Sequence, residues 1–200
     1  MKKNFDLFII GGGINGAGIA RDAAGRGFKV CLADKGKIGS ATSSWSTKLI
    51  HGGLRYLENY EFKLVNESLK EREIIHKIAK EITKPIPFII PHTKKLRPAW
   101  LIRLGLFLYD NLGGKKIIPK SQTIKINQKY PNILKSNFKK GFQYYDLQVD
   151  DKKLTELNAD DAKRYGAVIH ENTKVIKVSR DKHYWNIYLE KNKIVKSKIL

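Results

Sequence analysis

Apolar positions at the start of the chain follow the pattern of a strand, a helix and a second strand. The short apolar run DLFII (6–10) predicts a buried strand, and a helix with a small, alanine-rich face is expected from about Ile14 to Arg26. The run FKVCLAD (28–34) predicts a second strand that ends at Asp34. A strand, a helix and a strand in this order form a βαβ unit, which predicts an α/β fold.

Helical spacing returns in the middle of the chain, on either side of a proline-rich segment. The apolar residues of FKLVNESLKEREIIHKIAKEI (62–82) predict a long helix packed on the first domain. TKPIPFIIP (83–91) has three prolines around a short apolar core, which predicts an extended strand at a domain boundary. In LRPAWLIRLGLFLYDNLGG (96–114), a helix is expected to begin after Pro98 and to stop at the final Gly-Gly pair.

The last third of the chain has the pattern of a return to the first domain. Residues 121–142 have the pattern of strand and loop, residues 149–167 that of a helix, and the remainder that of at least three strands. This order predicts a discontinuous domain formed by residues 1–82 and 144–200. Part of a second domain, residues 83–143, interrupts it.

The charge of the chain raises the question of an anionic partner. The 200 residues include 39 basic and 19 acidic side chains, which give a formal net charge of +20. Nucleic acid and an acidic membrane surface are both compatible with this charge. The lysines are scattered and no nucleic-acid-binding module is recognisable, so a compositional origin is favoured and no nucleic-acid partner is predicted. No apolar run approaches the about 20 residues of a membrane span, and the LFII core is too short for a signal peptide.

The single cysteine, Cys31, lies in an apolar run and is expected to be a small buried residue of a strand. One cysteine forms no internal disulfide and offers no Cys-rich metal site. We therefore predict a reducing compartment and no metal.

The glycines between the first strand and the helix match a dinucleotide-binding loop. Gly11, Gly13 and Gly16 fit the pattern G-x-G-x-x-G. The first glycine permits a tight turn, the second lets the backbone approach a pyrophosphate, and the third lets the helix pack closely on the strand. Asp34 lies near the spacing expected for a carboxylate that binds a ribose hydroxyl. This unit predicts a dinucleotide cofactor but does not separate NAD from FAD.

The segment after the second strand is unusual in its residue types. ATSSWST (41–47) is a run of small polar residues, and KLIHGGLRY (48–56) combines two cations, an imidazole, a Gly-Gly pair and a phenol. Small hydroxyl residues can hydrogen-bond the phosphates and ribityl chain of a flavin, and the Gly-Gly pair lets the backbone pass close to a planar ring. Lys48 and Arg55 supply positive charge. A surface loop with random charges is the alternative.

Four stretches of the sequence resemble one family. GGGINGAGIARDAAGRG, ATSSWSTKLIHGGLRYLENYEFKLVNESLKERE, LRPAWLIRLGLFLYDNLGG and GFQYYDLQVDD are similar to the FAD-dependent, respiratory and membrane-associated glycerol-3-phosphate dehydrogenases. The implied fold is an α/β, Rossmann-like FAD-binding domain of the glucose-inhibited/D-amino-acid-oxidase flavoprotein type, interrupted by a substrate (cap) domain. Members of this family run far beyond 200 residues, so the chain is expected to be truncated at its C-terminus.

The resemblance implies a set of FAD-binding residues. The glycine loop would hold the pyrophosphate, and Asp34 stands where the family usually has a Glu on the adenosine ribose. Val175 matches the strand whose backbone reads the adenine. The flavin would be lined by the hydroxyl residues and by the start of KLIHGG. The predicted cofactor-binding residues are Gly11, Gly13, Ile14, Asn15, Gly16, Asp34, Lys35, Thr42, Ser43, Ser44, Lys48, Leu49, His51 and Val175.

The predicted catalytic residues are His51, Arg55 and Tyr56. Arg55 suits the phosphate or glycerol oxygens of the substrate. His51 is the best candidate for the base, because an imidazole titrates near neutral pH. The alternative role for His51, a hydrogen bond to the flavin or to the substrate, stays open.

The implied reaction is oxidation of sn-glycerol 3-phosphate to dihydroxyacetone phosphate by hydride transfer to the flavin, with quinone as the electron acceptor. The implied location is cytoplasmic, peripheral on the inner face of the cytoplasmic membrane. A position in the membrane interface is one interpretation of the helix after Pro98, with Trp100 and its basic flanks. An ordinary buried helix of the substrate domain is the alternative and is slightly favoured. A homodimer is left open. The alternatives are another FAD-dependent amine or hydroxy-acid oxidoreductase of the same fold, and an inactive truncated fragment.

Overall fold

The computed structural model describes residues 4–41, 45–93, 95–131 and 138–200. Its strands are β1 Asn4–Ile10, β2 Val30–Ala33, β3 Leu49–Ile50, β4 Thr83–His92, β5 Gln122–Lys125, β6 Lys140–Val149, β7 Val168–His170, β8 Val175–Arg180, β9 Trp185–Leu189 and β10 Lys193–Ile199. Its α-helices are α1 Ile14–Gly25, α2 Phe62–Ile78, α3 Ala99–Asn111, α4 Ile126–Lys129 and α5 Asp151–Arg164. Short 3-10 helices span Leu54–Asn59 and Lys80–Ile82.

The chain divides into two compact units, the first formed by residues 1–48 and 150–200 and the second by residues 49–149. The first unit contains a six-stranded sheet in the order β7-β2-β1-β10-β9-β8. Strands β7, β2, β1 and β10 are parallel, whereas β9 and β8 are antiparallel to their neighbours. The predicted βαβ unit, helix α5 and the strands that follow it are confirmed.

Both faces of β2 are buried, as is usual for strands inside a parallel sheet. Val30 and Leu32 of β2 pack with alanines of α1 and α5, and the alternate residues Cys31 and Ala33 pack on the opposite face. The predicted burial of Cys31 is confirmed. The small alanine side chains let the two helices lie close to the sheet, which places the N-terminus of α1 at the end of β1.

The second unit is built around the long strand β6. Strand β4 pairs along the full length of β6, while β3 and β5 pair with its two ends on the other side. Pro85, Pro87 and Pro91 occupy alternate register positions of β4. Because the N–H groups of alternate residues point to the same edge of a strand, these prolines share the edge away from β6 and cost no hydrogen bond in that pairing. The predicted extended strand is confirmed.

Helices α2 and α3 pack together in the second unit. Val65 and Leu69 of α2 form a buried cluster with Tyr109 of α3. Helix α3 begins after Pro98, as predicted, whereas α2 ends four residues earlier than the predicted Ile82. By its contacts, α2 lies in the second unit and not in the first. The boundaries between the compact units therefore lie at 48/49 and 149/150. The assignment of functional domains to 1–82, 83–143 and 144–200 stays a prediction.

Candidate functional site

The glycine loop after β1 turns sharply into helix α1. Gly11 has a φ of +107°, a conformation that glycine adopts readily and other residues rarely. A Cβ on Gly16 would lie 2.0 Å from the carbonyl oxygen of Gly11, so only glycine lets the helix start this close to the loop. Gly13, at the N-cap of α1, has no side chain to cap the helix. Because N–H groups at such a helix end bind phosphate, the loop fits the pyrophosphate of a dinucleotide.

Gly12 is a further glycine with little space around it, and the G-x-G-x-x-G pattern does not mark it. A Cβ at this position would lie 2.2 Å from Cδ1 of Ile38 and 3.2 Å from Cβ of Asp34. The N–H group of Gly12 donates to Oδ2 of Asp34 over 2.6 Å. The run of three consecutive glycines was the available signal in the sequence.

Asp34 follows β2 and connects three segments of the first unit. Besides the bond from Gly12, its Oδ1 accepts a hydrogen bond from the N–H group of Gly36 at 2.7 Å. Its backbone carbonyl accepts from the N–H group of Thr173 at 2.7 Å. The carboxylate therefore holds the glycine loop against the end of β2. Its contact with the adenosine ribose stays a prediction.

Val175 begins β8, two residues after Thr173. It is half-buried and packs against the core of the first unit. The hydrogen bond between Thr173 and Asp34 brings the predicted adenine-reading segment next to the predicted ribose-binding residue. Lys35 is exposed directly after Asp34.

Five further residues were predicted to bind the cofactor. Ile14 and Asn15 are exposed in the first turn of α1. Thr42, Ser43 and Ser44 lie outside the described residues. The contacts of all five with the cofactor stay predictions.

Lys48 is held by Asp151, a residue that the sequence pattern does not mark. Its Nζ lies 2.5 Å from Oδ1 of Asp151. Ser46 donates to Oδ2 of the same carboxylate from its hydroxyl at 2.7 Å and from its backbone at 3.3 Å. Burial on its own would raise the pKa of Asp151, but the hydrogen bonds from Lys48 and Ser46 lower it to about 2. The segment before the second unit is thereby tied to the first residue of α5.

Replacing Asp151 with Asn should lower the free energy of unfolding at pH 7 by about 1 kcal/mol, a value reduced by solvent screening because the Lys48 side chain is 47% exposed. The folded-state pKa of about 2 lies below the ordinary value of 3.8. The carboxylate therefore stabilises the fold above pH 4 and loses this contribution as the pH falls towards 2. Urea unfolding of wild type and Asp151→Asn should differ at pH 7 and converge at low pH.

The matched control for this measurement is Asp160→Asn on the same helix. Asp160 pairs with Lys163 at 3.1 Å, with both side chains about half exposed, and such pairs contribute little. A stability difference for Asp151→Asn that stays constant from pH 7 to pH 2 would contradict the role of its charge.

An open pocket in the second unit brings the three predicted catalytic residues together. It has a volume of about 630 Å³ and is lined by Leu49, His51, Gly53, Leu54, Arg55, Tyr56, Asn59, Phe88, Tyr144 and Asp146. Gly53 has a φ of +71° and caps the 3-10 helix that carries Arg55 and Tyr56. The N–H group of Tyr56 donates to the Gly53 carbonyl at 2.8 Å. The Gly-Gly pair therefore turns the chain so that His51, Arg55 and Tyr56 line one pocket.

The pocket has one aromatic wall. The rings of Phe88 and Tyr144 stack with centroids 5.3 Å apart and an angle of 25° between their planes. Neither residue was predicted as part of the site, because a strand pattern does not indicate which aromatic side chains face a cavity. An imidazole, a guanidinium and a phenol thus stand beside an apolar wall, which suits a small polar substrate that presents an anionic group.

Comparison with known families decides the class. The profile described as DAO, FAD dependent oxidoreductase, matches residues 6–197. The chain belongs to this family. FAD is the cofactor of the family, so the predicted cofactor and the predicted flavoprotein fold are confirmed.

Two curated relatives of this FAD-dependent oxidoreductase act on polyol phosphates. The glycerol-3-phosphate dehydrogenase of Pseudomonas aeruginosa is 48% identical over 192 residues, which make up 96% of this chain and 37% of that protein. The D-erythritol 1-phosphate dehydrogenase of Brucella abortus is 52% identical over 181 residues, which make up 90% of this chain and 36% of that protein. The chain therefore spans somewhat more than a third of the length of these relatives.

A solved structure of a glycerol-3-phosphate dehydrogenase has the same fold as this chain. The glycerol-3-phosphate dehydrogenase of Bacillus halodurans, in complex with FAD, matches with a TM-score of 0.70 and 27% identity. The match covers 98% of this chain and 34% of that one.

Across residues 4–41, 45–93, 95–131 and 138–200, no group of three or more His, Cys, Asp or Glu side chains is arranged to hold a metal ion. Of the helices in these ranges, none combines the length and the apolar character needed to cross a membrane.

Proposed function

We propose that the protein oxidises sn-glycerol 3-phosphate to dihydroxyacetone phosphate as an FAD-dependent dehydrogenase. The observation that carries this proposal is the pocket lined by His51, Arg55 and Tyr56 in a chain 48% identical to a glycerol-3-phosphate dehydrogenase. The glycine loop, Asp34 and Val175 would hold FAD. When bound, FAD supplies the acceptor for the hydride that leaves C2 of the substrate.

The side chains of the pocket have separable roles in this proposal. Arg55 is exposed to the pocket, and it forms no ion pair with any residue in the described ranges. Its permanently charged, forked guanidinium is suited to the phosphate or the glycerol oxygens. His51 accepts the proton of the C2 hydroxyl, and Tyr56 donates a hydrogen bond to a substrate oxygen.

A longer polyol phosphate is the second candidate substrate. The 52% identity to the D-erythritol 1-phosphate dehydrogenase of Brucella abortus favours it. Both candidate substrates carry a phosphate on a terminal carbon next to a carbon with a secondary hydroxyl, so the same three side chains would serve either. The length of the carbon chain is then the property that distinguishes them.

Anaerobic flavin bleaching tests the proposal. FAD-loaded, full-length protein is mixed with glycerol 3-phosphate, with D-erythritol 1-phosphate, and with free glycerol as the control without phosphate. We expect rapid bleaching by a polyol phosphate and slow bleaching by glycerol. Bleaching by amino acids or hydroxy acids, with no response to either polyol phosphate, would overturn the proposal in favour of another oxidoreductase of the same fold.

We also propose peripheral contact with an anionic membrane on the cytoplasmic side, with quinone as the electron acceptor. The support is the exposed apolar surface of α3, where Trp100 is 68% exposed and is accompanied by Leu104 and Phe107. Arg97 pairs with Glu58 at 3.0 Å, so the positive charge that favours anionic lipid comes from Lys95 and Lys115, which flank α3 in the sequence and are exposed.

Vesicle flotation checks the membrane contact. The protein should float with anionic vesicles at low salt and be partly released as salt rises, because screening removes the charge attraction and leaves the apolar insertion. Trp100→Ser should weaken flotation. Trp45→Ser, a change at a tryptophan of the first unit that is even more exposed, at 85%, should not. Equal flotation of the two variants would rule out α3 as the contact surface.

A further inference from the structure

We propose that Arg72, Tyr109 and Asp146, here called the buried cluster, position the His51–Gly53 turn at the substrate pocket. The inference rests on the proposed function, because it concerns the same pocket. It assigns a role to three residues that lie on three separate elements, namely α2, α3 and β6.

The backbone of Gly52 is hydrogen-bonded to the buried cluster. Its N–H group donates to the hydroxyl of Tyr109 at 2.7 Å, and a longer contact of 3.4 Å reaches Oδ1 of Asp146. The Tyr109 hydroxyl in turn donates to the same Oδ1 at 2.7 Å. Burial, together with the charge and hydrogen bond of Asp146, raises the pKa of Tyr109 well above its ordinary value. The phenol therefore stays protonated and can donate to Asp146 while it accepts from Gly52.

Arg72 holds Asp146 in place through a buried ion pair. Nη1 of Arg72 lies 2.6 Å from Oδ1 of Asp146 and also donates to the carbonyl of Tyr145 at 3.0 Å. Arg72 and Asp146 are almost fully buried. Buried ion pairs contribute little net stability, because desolvation offsets the attraction, and their best-attested role is to specify one geometry. Three donors therefore converge on one carboxylate oxygen that is held in a single place.

Gly52 has little space around its α-carbon. A Cβ on this residue would lie 2.2 Å from Cδ2 of Leu69 and 2.8 Å from the Tyr109 hydroxyl. The backbone therefore lies directly against the buried cluster. His51 precedes Gly52, and Gly53 caps the helix that carries Arg55. A shift of Gly52 would thus displace the proposed base relative to the proposed phosphate-binding side chain.

The test uses Tyr109→Phe, which removes one hydroxyl and keeps the ring. That ring packs edge-on against Tyr144, with centroids 6.0 Å apart. The control is Tyr130→Phe, which removes a hydroxyl that donates to Oε1 of Gln143 at 3.0 Å in the same unit but does not touch Gly52. Both variants are compared with wild type as FAD-loaded, full-length protein.

Amide hydrogen exchange gives a readout that does not depend on activity. In Tyr109→Phe, the peptide that contains Gly52 should exchange about three- to tenfold faster, as expected for the loss of one hydrogen bond. Peptides from β4 and β6 should exchange at the wild-type rate. Unchanged exchange at Gly52, or faster exchange throughout the unit, would overturn the proposal.

Flavin bleaching gives the second readout. In Tyr109→Phe, the limiting rate of reduction by glycerol 3-phosphate should fall about tenfold or more, because misplacement by a fraction of an ångström is costly to catalysis. The substrate concentration for half-maximal rate should change less than about threefold, since the substrate-binding groups are all retained. Tyr130→Phe should match wild type. Faster exchange at Gly52 with an unchanged reduction rate would overturn the positioning role.

The two readouts also separate this inference from the proposed function. If the wild-type flavin is bleached by neither polyol phosphate, the proposed function fails. Faster exchange confined to the Gly52 peptide of Tyr109→Phe would then still support the inference that the buried cluster positions the His51–Gly53 turn.

Discussion

Gly16→Ala should weaken FAD binding by about 10- to 100-fold, whereas Gly18→Ala in the same helix should leave it intact. The Cβ added at Gly16 would lie 2.0 Å from the carbonyl oxygen of Gly11 and 3.3 Å from Cγ2 of Ile9. The first of these atoms belongs to the backbone of the glycine loop, so the clash cannot be relieved by rotating a side chain. Overpacking of this kind costs about 1–3 kcal/mol, and here the loop itself must move away from the position that fits the pyrophosphate.

Gly18 provides a matched comparison, because a Cβ there meets no atom within 4 Å. In a helix interior, replacing glycine with alanine stabilises by about 0.5–1 kcal/mol. The measurement is the visible flavin absorption retained after gel filtration, together with thermal unfolding of the apoprotein. Normal flavin retention by a folded Gly16→Ala variant would show that the loop is not the phosphate site.

The βαβ segment of the first unit was predictable because its determinants are local in the sequence. The βαβ pattern, the glycines and the apolar runs all lie within one stretch of about 30 residues, and each has a periodicity or a spacing that a single sequence displays. The structure starts α1 at the predicted Ile14 and ends it one residue before the predicted Arg26. Even Asp34, which was chosen for its spacing, lies in contact with the glycine loop.

The partners of the charged residues were not predictable, because they lie far apart in the chain. Lys48 and Asp151 are separated by 103 residues, and Arg72 and Asp146 by 74. Within α2, Arg72 has the same appearance as the lysines and glutamates that the helix exposes to solvent. Only the packing of α2 against β6 and α3 shows that this one cation is buried.

The packing partner of α2 was missed for a related reason. Helical spacing identifies which face of a helix is apolar, but not which surface that face covers. The apolar face formed by Val65 and Leu69 is compatible with packing on either unit. Tyr109 and the Gly52 backbone, which the structure places against them, come from segments whose patterns do not identify a partner.

His51→Ala should reduce the rate of flavin reduction by glycerol 3-phosphate about 10²- to 10⁴-fold, if the imidazole is the general base. It should leave substrate affinity nearly unchanged, since Arg55, the proposed phosphate-binding residue, is retained. Arg55→Ala should show the opposite pattern, with affinity for glycerol 3-phosphate about ten- to a hundredfold weaker, as expected for loss of a charge-assisted hydrogen bond. Its effect on free glycerol should be smaller, because glycerol has no phosphate for the guanidinium to bind.

The measurement is anaerobic bleaching of the flavin over a range of substrate concentration and pH. His183→Ala serves as the control, because His183 is exposed in the first unit and its backbone N–H group, not its ring, donates to Oδ1 of Asp181 at 3.0 Å. Arg55→Lys adds a second comparison, since a lysine keeps the charge but not the fork that holds two oxygens at once. A His51→Ala variant that bleaches at the wild-type rate with the wild-type pH dependence would exclude His51 as the base. The imidazole would then retain only its alternative role as a hydrogen-bonding group for flavin or substrate, and another residue would have to accept the hydroxyl proton.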